Sequence, residues 1–306
     1  MLLYERFPRG TGLFAMASWY EQRLPVEDFD PAPISHSVLG SVHPVFRRGT
    51  RCNPGSGPFK IPPTYFVKSL RAIRVRTSPL DPSLHEDAAT FQWLYQRNES
   101  CHPNVLSISG VCRIPDGGFG VVFPCTGLKS LREFLHEEPG LDRVQLSLQI
   151  SHGLAHIHQV GVVHGRLRAA NVLVSLTGNA ILSDPCLLEM GGTGFTEQYL
   201  KENVGWLAPE IVRGKPLSQA SDSYSLGMVI LEVISGMAPY TKLSEVELWD
   251  TVLAGQPPIP ARPIGVIPND QYGNRLWHFL YSCWDCDPVN RPSAALASDF
   301  MSGAWI

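Results

Sequence analysis

The spacing of apolar residues along this chain changes near position 126. Before it, apolar residues recur with a period of about 2, and after it with a period of about 3.6. A chain with that change folds as a sheet-rich part followed by a helical one. In the first part, TYFVKSL (64–70) and FGVVF (119–123) alternate as strands do, and GTRCNPGSGPFKIPPTY (49–65), rich in Gly and Pro, reads as a long hairpin loop. LHEDAATFQWLYQ (84–96) has Phe91 and Leu94 at helical spacing. Residues 1–33 carry no sustained period and end in DFDPAPIS, which marks an extension before the first ordered strand of a part spanning 34–126. In the second part, 127–306, Ser130 and Glu133 in SLRE have capping-box spacing. Leu146, Ile150, Leu154 and Ile157 then share one helical face that ends at Gly161. VLV (172–174) and AIL (180–182) are two short strands around the turn TGN, and 206–300 reads as helices joined by loops. The fold class is α+β, a small β-rich part before a larger helical one.

Composition removes several function classes. The charge of −3 comes from interspersed residues, so no basic or acidic block offers a footprint for nucleic acid or anionic lipid. Seven cysteines, an odd number, read as reduced intracellular thiols. The pair Cys283 and Cys286 in CWDC would need two further zinc ligands, and only Cys101 beside His102 hints at them, so buried thiols are expected there. The opening MLLYERFPRGTGLFAMAS lacks the pattern of a secretory signal. SYSLGMVILEVISGMAPY (223–240) is apolar, but Glu232 interrupts it and Gly236 and Pro239 end it too soon for a membrane span. It reads as a buried core helix of an intracellular, cytoplasmic protein.

The most informative stretch is VVHGRLRAANVLV (162–174), where a histidine precedes a polar turn and an asparagine precedes an apolar strand, with no carboxylate between them. With YFVK (65–68), SDPC (183–186), WLAPE (206–210), SDSYSLG (221–227) and CWDCDPVNRP (283–292), it forms six motifs in order over roughly 34–300. This order resembles the bilobal protein kinase fold, most closely the tyrosine-kinase-like group of serine/threonine kinases.

The resemblance implies a role for each matched residue. Lys68 falls where a lysine pairs with nucleotide phosphates, and Asn171 and Asp184 fall where magnesium ligands sit. VLGSVHPV (38–45) resembles the glycine-rich loop with Gly40 and Val45 kept, but Val38 and His43 replace the outer glycines and Pro44 deletes a donor, which weakens phosphate binding. Asp87, with Glu86 beside it, stands nearest the acidic partner of Lys68. In the metal motif, Pro185 and Cys186 replace phenylalanine and glycine, which implies one locked conformation. Asn203, Gly205 and Trp206 lie at substrate-positioning places, and Glu210 with Arg291 matches a structural buried ion pair. His164, Leu167 and Asp222 belong to the same scaffold. Thr193, Thr196 and Tyr199 read as exposed loop hydroxyls.

The catalytic Asp position holds Arg166, and the preceding arginine position holds Gly165. A guanidinium stays charged and has no lone pair, so Arg166 cannot take a proton from a hydroxyl. The resemblance therefore implies a pseudokinase that signals by binding protein partners and keeps a place for ATP and magnesium. The alternatives are a weakly active serine/threonine kinase, a nucleotide-free scaffold, and a chain in which Arg166 substitutes for part of the metal's charge at the phosphates.

Overall fold

A computed structural model describes residues 2–4, 21–23, 35–37, 40–45, 65–74, 102–107, 110–113, 118–124, 128–137, 140, 142–183, 195–254 and 257–303. The chain divides into two compact units. The first comprises 1–101, 107–127 and 187–194, and the second 102–106, 128–186 and 195–306.

The first unit holds a seven-stranded sheet in the order β2-β1-β6-β7-β5-β4-β3. Its strands are β1 (Leu2–Tyr4), β2 (Glu21–Arg23), β3 (Ser35–Ser37), β4 (Gly40–Val45), β5 (Tyr65–Arg74), β6 (Gly110–Arg113) and β7 (Gly118–Pro124). All pairings are antiparallel, and β4 and β5 flank the Gly/Pro-rich stretch as the two arms of its hairpin. Two strands precede position 34. β1 extends the sheet beyond β6 through Leu3↔Cys112 and Tyr4↔Val111, so the N-terminal stretch supplies an edge to the sheet. Residues 43–45 pair with β5 alone, because β3 reaches only Val42. Pro44 thus lies where a missing donor is tolerated.

The second unit is helical around one central element. It contains β8 (Lys129–Ser130), α1 (Leu131–Glu137), α2 (Arg143–Gln159), β9 (Val172–Val174), β10 (Ala180–Leu182), α3 (Glu197–Asn203), α4 (Pro209–Val212), α5 (Gln219–Ser235), α6 (Glu245–Leu253), α7 (Gln271–Cys283) and α8 (Ala294–Gly303). The Ser130–Glu133 box starts α1, with Ser130 N–H donating to Glu133 Oε2 at 3.0 Å and Glu133 N–H to Ser130 Oγ at 3.3 Å. Leu146, Ile150, Leu154 and Ile157 of α2 are all buried. In α5 every residue from Ser221 to Ile234 is buried, so the apolar run is the core helix of this unit. The Arg143 guanidinium donates to the carbonyls of Val233 and Ile234 at 2.8 and 3.2 Å, which satisfies orphan acceptors at the end of α5.

A short crossing segment, 102–106, joins this unit through a parallel bridge between Val105 and Leu182. It passes so close to α2 that a Cβ at Gly153 would lie 2.5 Å from the Asn104 carbonyl oxygen. A glycine is required there by space alone. Among the described residues, no helix is long and apolar enough to cross a membrane.

Candidate functional site

The polar turn lies between α2 and β9, and its geometry is set by one carboxylate. Asp222, 1% exposed in the first turn of α5, accepts from the N–H of His164 at 2.6 Å and of Gly165 at 2.7 Å, and pairs with His158 Nε2 at 2.9 Å. Two successive N–H groups can aim at one carboxylate because Gly165 takes φ +71°, a left-handed conformation open to glycine. His164 is fully buried; its Nδ1 accepts from Arg166 N–H at 3.2 Å and its Nε2 lies 3.1 Å from the Ser183 carbonyl oxygen. Leu167 anchors the turn in the core.

Asn171 closes the turn from its other end. Its Nδ2 donates to the Arg166 carbonyl at 2.7 Å, and its own carbonyl accepts from Ser183 N–H and Oγ, both at 2.9 Å. Among the described residues, none donates a hydrogen bond to its Oδ1. An amide with its donor side committed inward and its acceptor side unused suits a hard cation, which binds oxygen ligands.

Arg166 is 3% exposed. Its Nε donates to the Tyr199 hydroxyl at 3.2 Å, its Cζ lies 5.3 Å from the centre of that ring, and its Nη1 is buried with no acceptor. Arg168 reaches the same helix, donating through Nη1 to Asn203 Oδ1 at 2.7 Å, while Asn203 Nδ2 donates to the Tyr199 carbonyl at 2.7 Å. Tyr199 stacks on Phe195 at 4.9 Å. Asn203 is thus brought to the turn. Tyr199, in contrast, is 3% exposed rather than a free loop hydroxyl. The reason is local: Thr196 caps α3, accepting from Tyr199 N–H at 3.1 Å, and Phe195, Tyr199 and Asn203 follow at helical spacing along the buried face. That i, i+4, i+8 spacing was the available signal. An arginine turned into this packing, with its charge engaged by Tyr199, is also poorly disposed to substitute for metal charge at a phosphate.

Below the turn, Arg291 and Glu210 form the ion pair foreseen in the sequence. Nη1 and Nη2 donate to Oε1 and Oε2 at 2.6 and 2.9 Å, Nε donates to the Asp285 carbonyl at 2.9 Å, and Nη1 also donates to the Ala220 carbonyl at 3.0 Å. Arg291 lies over Tyr224, whose hydroxyl burial pushes up to about 12. Trp206 donates through Nε1 to Glu232 at 2.8 Å, and burial raises the Glu232 carboxyl above its ordinary range against that hydrogen bond.

In the first unit, Gly40 and Val45 begin and end β4, and Lys68 sits mid-strand in β5, paired in backbone register with Val42 on one side and Val121 on the other. Val38, Glu86, Asp87, Phe91, Leu94, Cys101, Asp184, Pro185, Cys186 and Thr193 lie outside the described residues. Of the CWDC pair, Cys283 is buried and Cys286 exposed. No group of three or more His, Cys, Asp or Glu among the described residues is placed to hold a metal ion.

The family model for protein tyrosine and serine/threonine kinases matches residues 75–300, beginning just after β5 and running into α8. The chain belongs to that kinase family. Serine/threonine-protein kinase STY17 of Arabidopsis thaliana is 27% identical over 263 residues, covering 84% of this chain and 42% of the relative. Dual specificity protein kinase shkD of Dictyostelium discoideum is 26% identical over 200 residues, covering 63% and 26%. Tyrosine-protein kinase SPK-1 of Girardia tigrina is 30% identical over 213 residues, covering 65% and 42%. The chain spans less than half the length of each. Their names include serine/threonine, dual-specificity and tyrosine kinases, so likeness to them does not select an acceptor residue for this kinase domain.

Proposed function

We propose that this kinase domain is a pseudokinase, acting in signalling through protein partners rather than by efficient phosphoryl transfer. The observation that carries the reading is Arg166 in the turn between His164 and Asn171, buried on Tyr199 where the family places its base. A positioned base contributes about 10²–10⁴ in rate, and an arginine supplies none of it. Phosphoryl transfer needs little activation of the nucleophile, so the expected defect lies within that range.

Nucleotide binding is a separate matter. Lys68, Asn171 and Asp184 retain the residue types that hold magnesium and ATP phosphates, and Asn171 Oδ1, to which no described residue donates, favours a metal ligand there. When bound, the metal would neutralise phosphate charge. The sequence of the glycine-rich loop, with Gly40 as its sole remaining glycine, argues for weak affinity.

A thermal-shift titration with ATP, with and without magnesium, tests binding, and a transfer assay on a general protein acceptor tests chemistry. Ligand at about 100 times its Kd stabilises the fold by about 2.7 kcal/mol. A magnesium-dependent shift that Asp184→Asn abolishes, with transfer at least about 10²-fold below an active relative, is the expected result. Transfer at a relative's rate, lost in Asp184→Asn, would overturn the pseudokinase reading. No shift at millimolar ATP would reduce the chain to a nucleotide-free scaffold.

A further inference from the structure

We infer that Arg166 is a latch: its buried guanidinium holds the helix Glu197–Asn203 against the polar turn and closes position 166 to a protein hydroxyl. The inference rests on the reading of this position as non-catalytic, and it adds what the arginine does instead.

Burying a cation without a carboxylate is unfavourable unless something else solvates it. Among the described residues, Tyr199 supplies the contacts made to the Arg166 guanidinium. Nε has the Tyr199 hydroxyl at 3.2 Å, the guanidinium carbon lies 5.3 Å from the Tyr199 ring, and Nη1 has no acceptor. The ring provides a cation–π contact and the hydroxyl a charge-assisted hydrogen bond. Because no second described side chain engages the guanidinium, its compensation within the protein depends on Tyr199 staying in place. The cation therefore restrains the helix that carries the tyrosine. Arg168 and Asn203 add a second tether one turn on, at 2.7 Å, and the Asn203 amide returns to the Tyr199 carbonyl at 2.7 Å.

The consequence for access is direct. A substrate hydroxyl must come within about 2.6–3.2 Å of a base to lose its proton. Residue 166 is 3% exposed and Tyr199, which covers it, is 3% exposed. The outward residues of the same helix, Glu197, Gln198, Lys201 and Glu202, are exposed, so the latched helix displays one fixed polar face.

The test is a double-mutant cycle in the full chain, read by hydrogen exchange of amides 197–203 with the amides of α5 as internal reference. Tyr199→Leu strands the buried cation and speeds exchange of 197–203 by about tenfold to a hundredfold, the size expected when a buried charged donor loses its acceptor. Arg166→Met removes the charge at similar volume. Adding it to Tyr199→Leu is expected to slow exchange again, because the stranded charge is gone. If the two effects simply multiply, within a factor of about two, the sites are uncoupled and the latch is wrong. Should both Tyr199→Leu chains fail to fold, the cycle is run with Tyr199→Phe, which keeps the ring and removes only the hydroxyl, under the same criterion. Folding of the double variant where Tyr199→Leu alone fails is itself the coupling expected. Phosphoryl transfer by the unaltered chain at the rate of an active relative would refute the pseudokinase reading while leaving the exchange result to stand or fall separately.

Discussion

Two arginines are buried in the helical unit, each over a tyrosine ring, and they are solvated in opposite ways. Arg291 has every nitrogen engaged, by both oxygens of Glu210 and the carbonyls of Asp285 and Ala220, with Tyr224 at 5.1 Å. Arg166 has a neutral hydroxyl on Nε, a ring at 5.3 Å and nothing on Nη1. The first arrangement is redundant, so it fixes geometry whatever its neighbours do. The second depends on one side chain, so it transmits the position of that side chain to the turn. The pair that ties the helical unit together has matched charges, and the turn between His164 and Asn171 holds a cation with no carboxylate in its sequence.

Removing Glu210 is the harshest way to probe this contrast. Glu210→Ala strands the Arg291 charge and is expected to cost about 3–5 kcal/mol, measured as a lowered denaturant midpoint. A loss below about 1 kcal/mol would mean that the backbone carbonyls suffice and that the two arginines differ less than their partners suggest.

Restoring a side chain at Gly165 probes the turn itself. Gly165→Ala forces a Cβ into a left-handed residue at a cost of about 1–2 kcal/mol, and the Leu217 side chain, 2.6 Å from that Cβ, must rotate away. Circular-dichroism melts would check it. An unchanged melting temperature would show that Asp222 does not hold the turn in this conformation, and the contrast between a rigid frame and a conditional loop would weaken.

The smallest effect concerns the edge of the frame, where His102 stacks on His156 at 4.8 Å and its Nδ1 accepts from Asn104 N–H at 3.1 Å. Burial, then His156 and His152, hold its pKa below the ordinary 6.5. The folded chain thus favours neutral His102. Its contribution is present above 6.5 and is lost as pH falls through the lowered folded value. Stability measured against pH should decline below 6.5, with a shallower slope in His102→Asn. Equal slopes would remove this histidine from the frame's pH response.

Much of the fold was legible because it depends on local pattern. The capping pair Ser130–Glu133, the α2 face from Leu146 to Ile157, and the apolar run that became α5 each carry their own period. The frame of the site was legible too, since Asp222, Glu210 and Arg291 sit in ordered motifs whose residue types admit few roles. Tyr199 was missed. Its helix is seven residues long, so its only signs were a threonine cap and the short i, i+4, i+8 spacing of Phe195, Tyr199 and Asn203. The N-terminal strands were equally hidden, since three-residue strands such as β1 and β2 have pairing but no pattern.

The sequence by itself determined the order of sheet and helices, membership of the kinase scaffold, and the absence of a base between His164 and Asn171, because these follow from residue type and spacing along the chain. Only the tertiary structure decided where Arg166 turns. Its partner lies 33 residues away, and a long cationic side chain goes wherever the fold offers burial with an acceptor and an aromatic face. Nothing local to the turn encodes that choice.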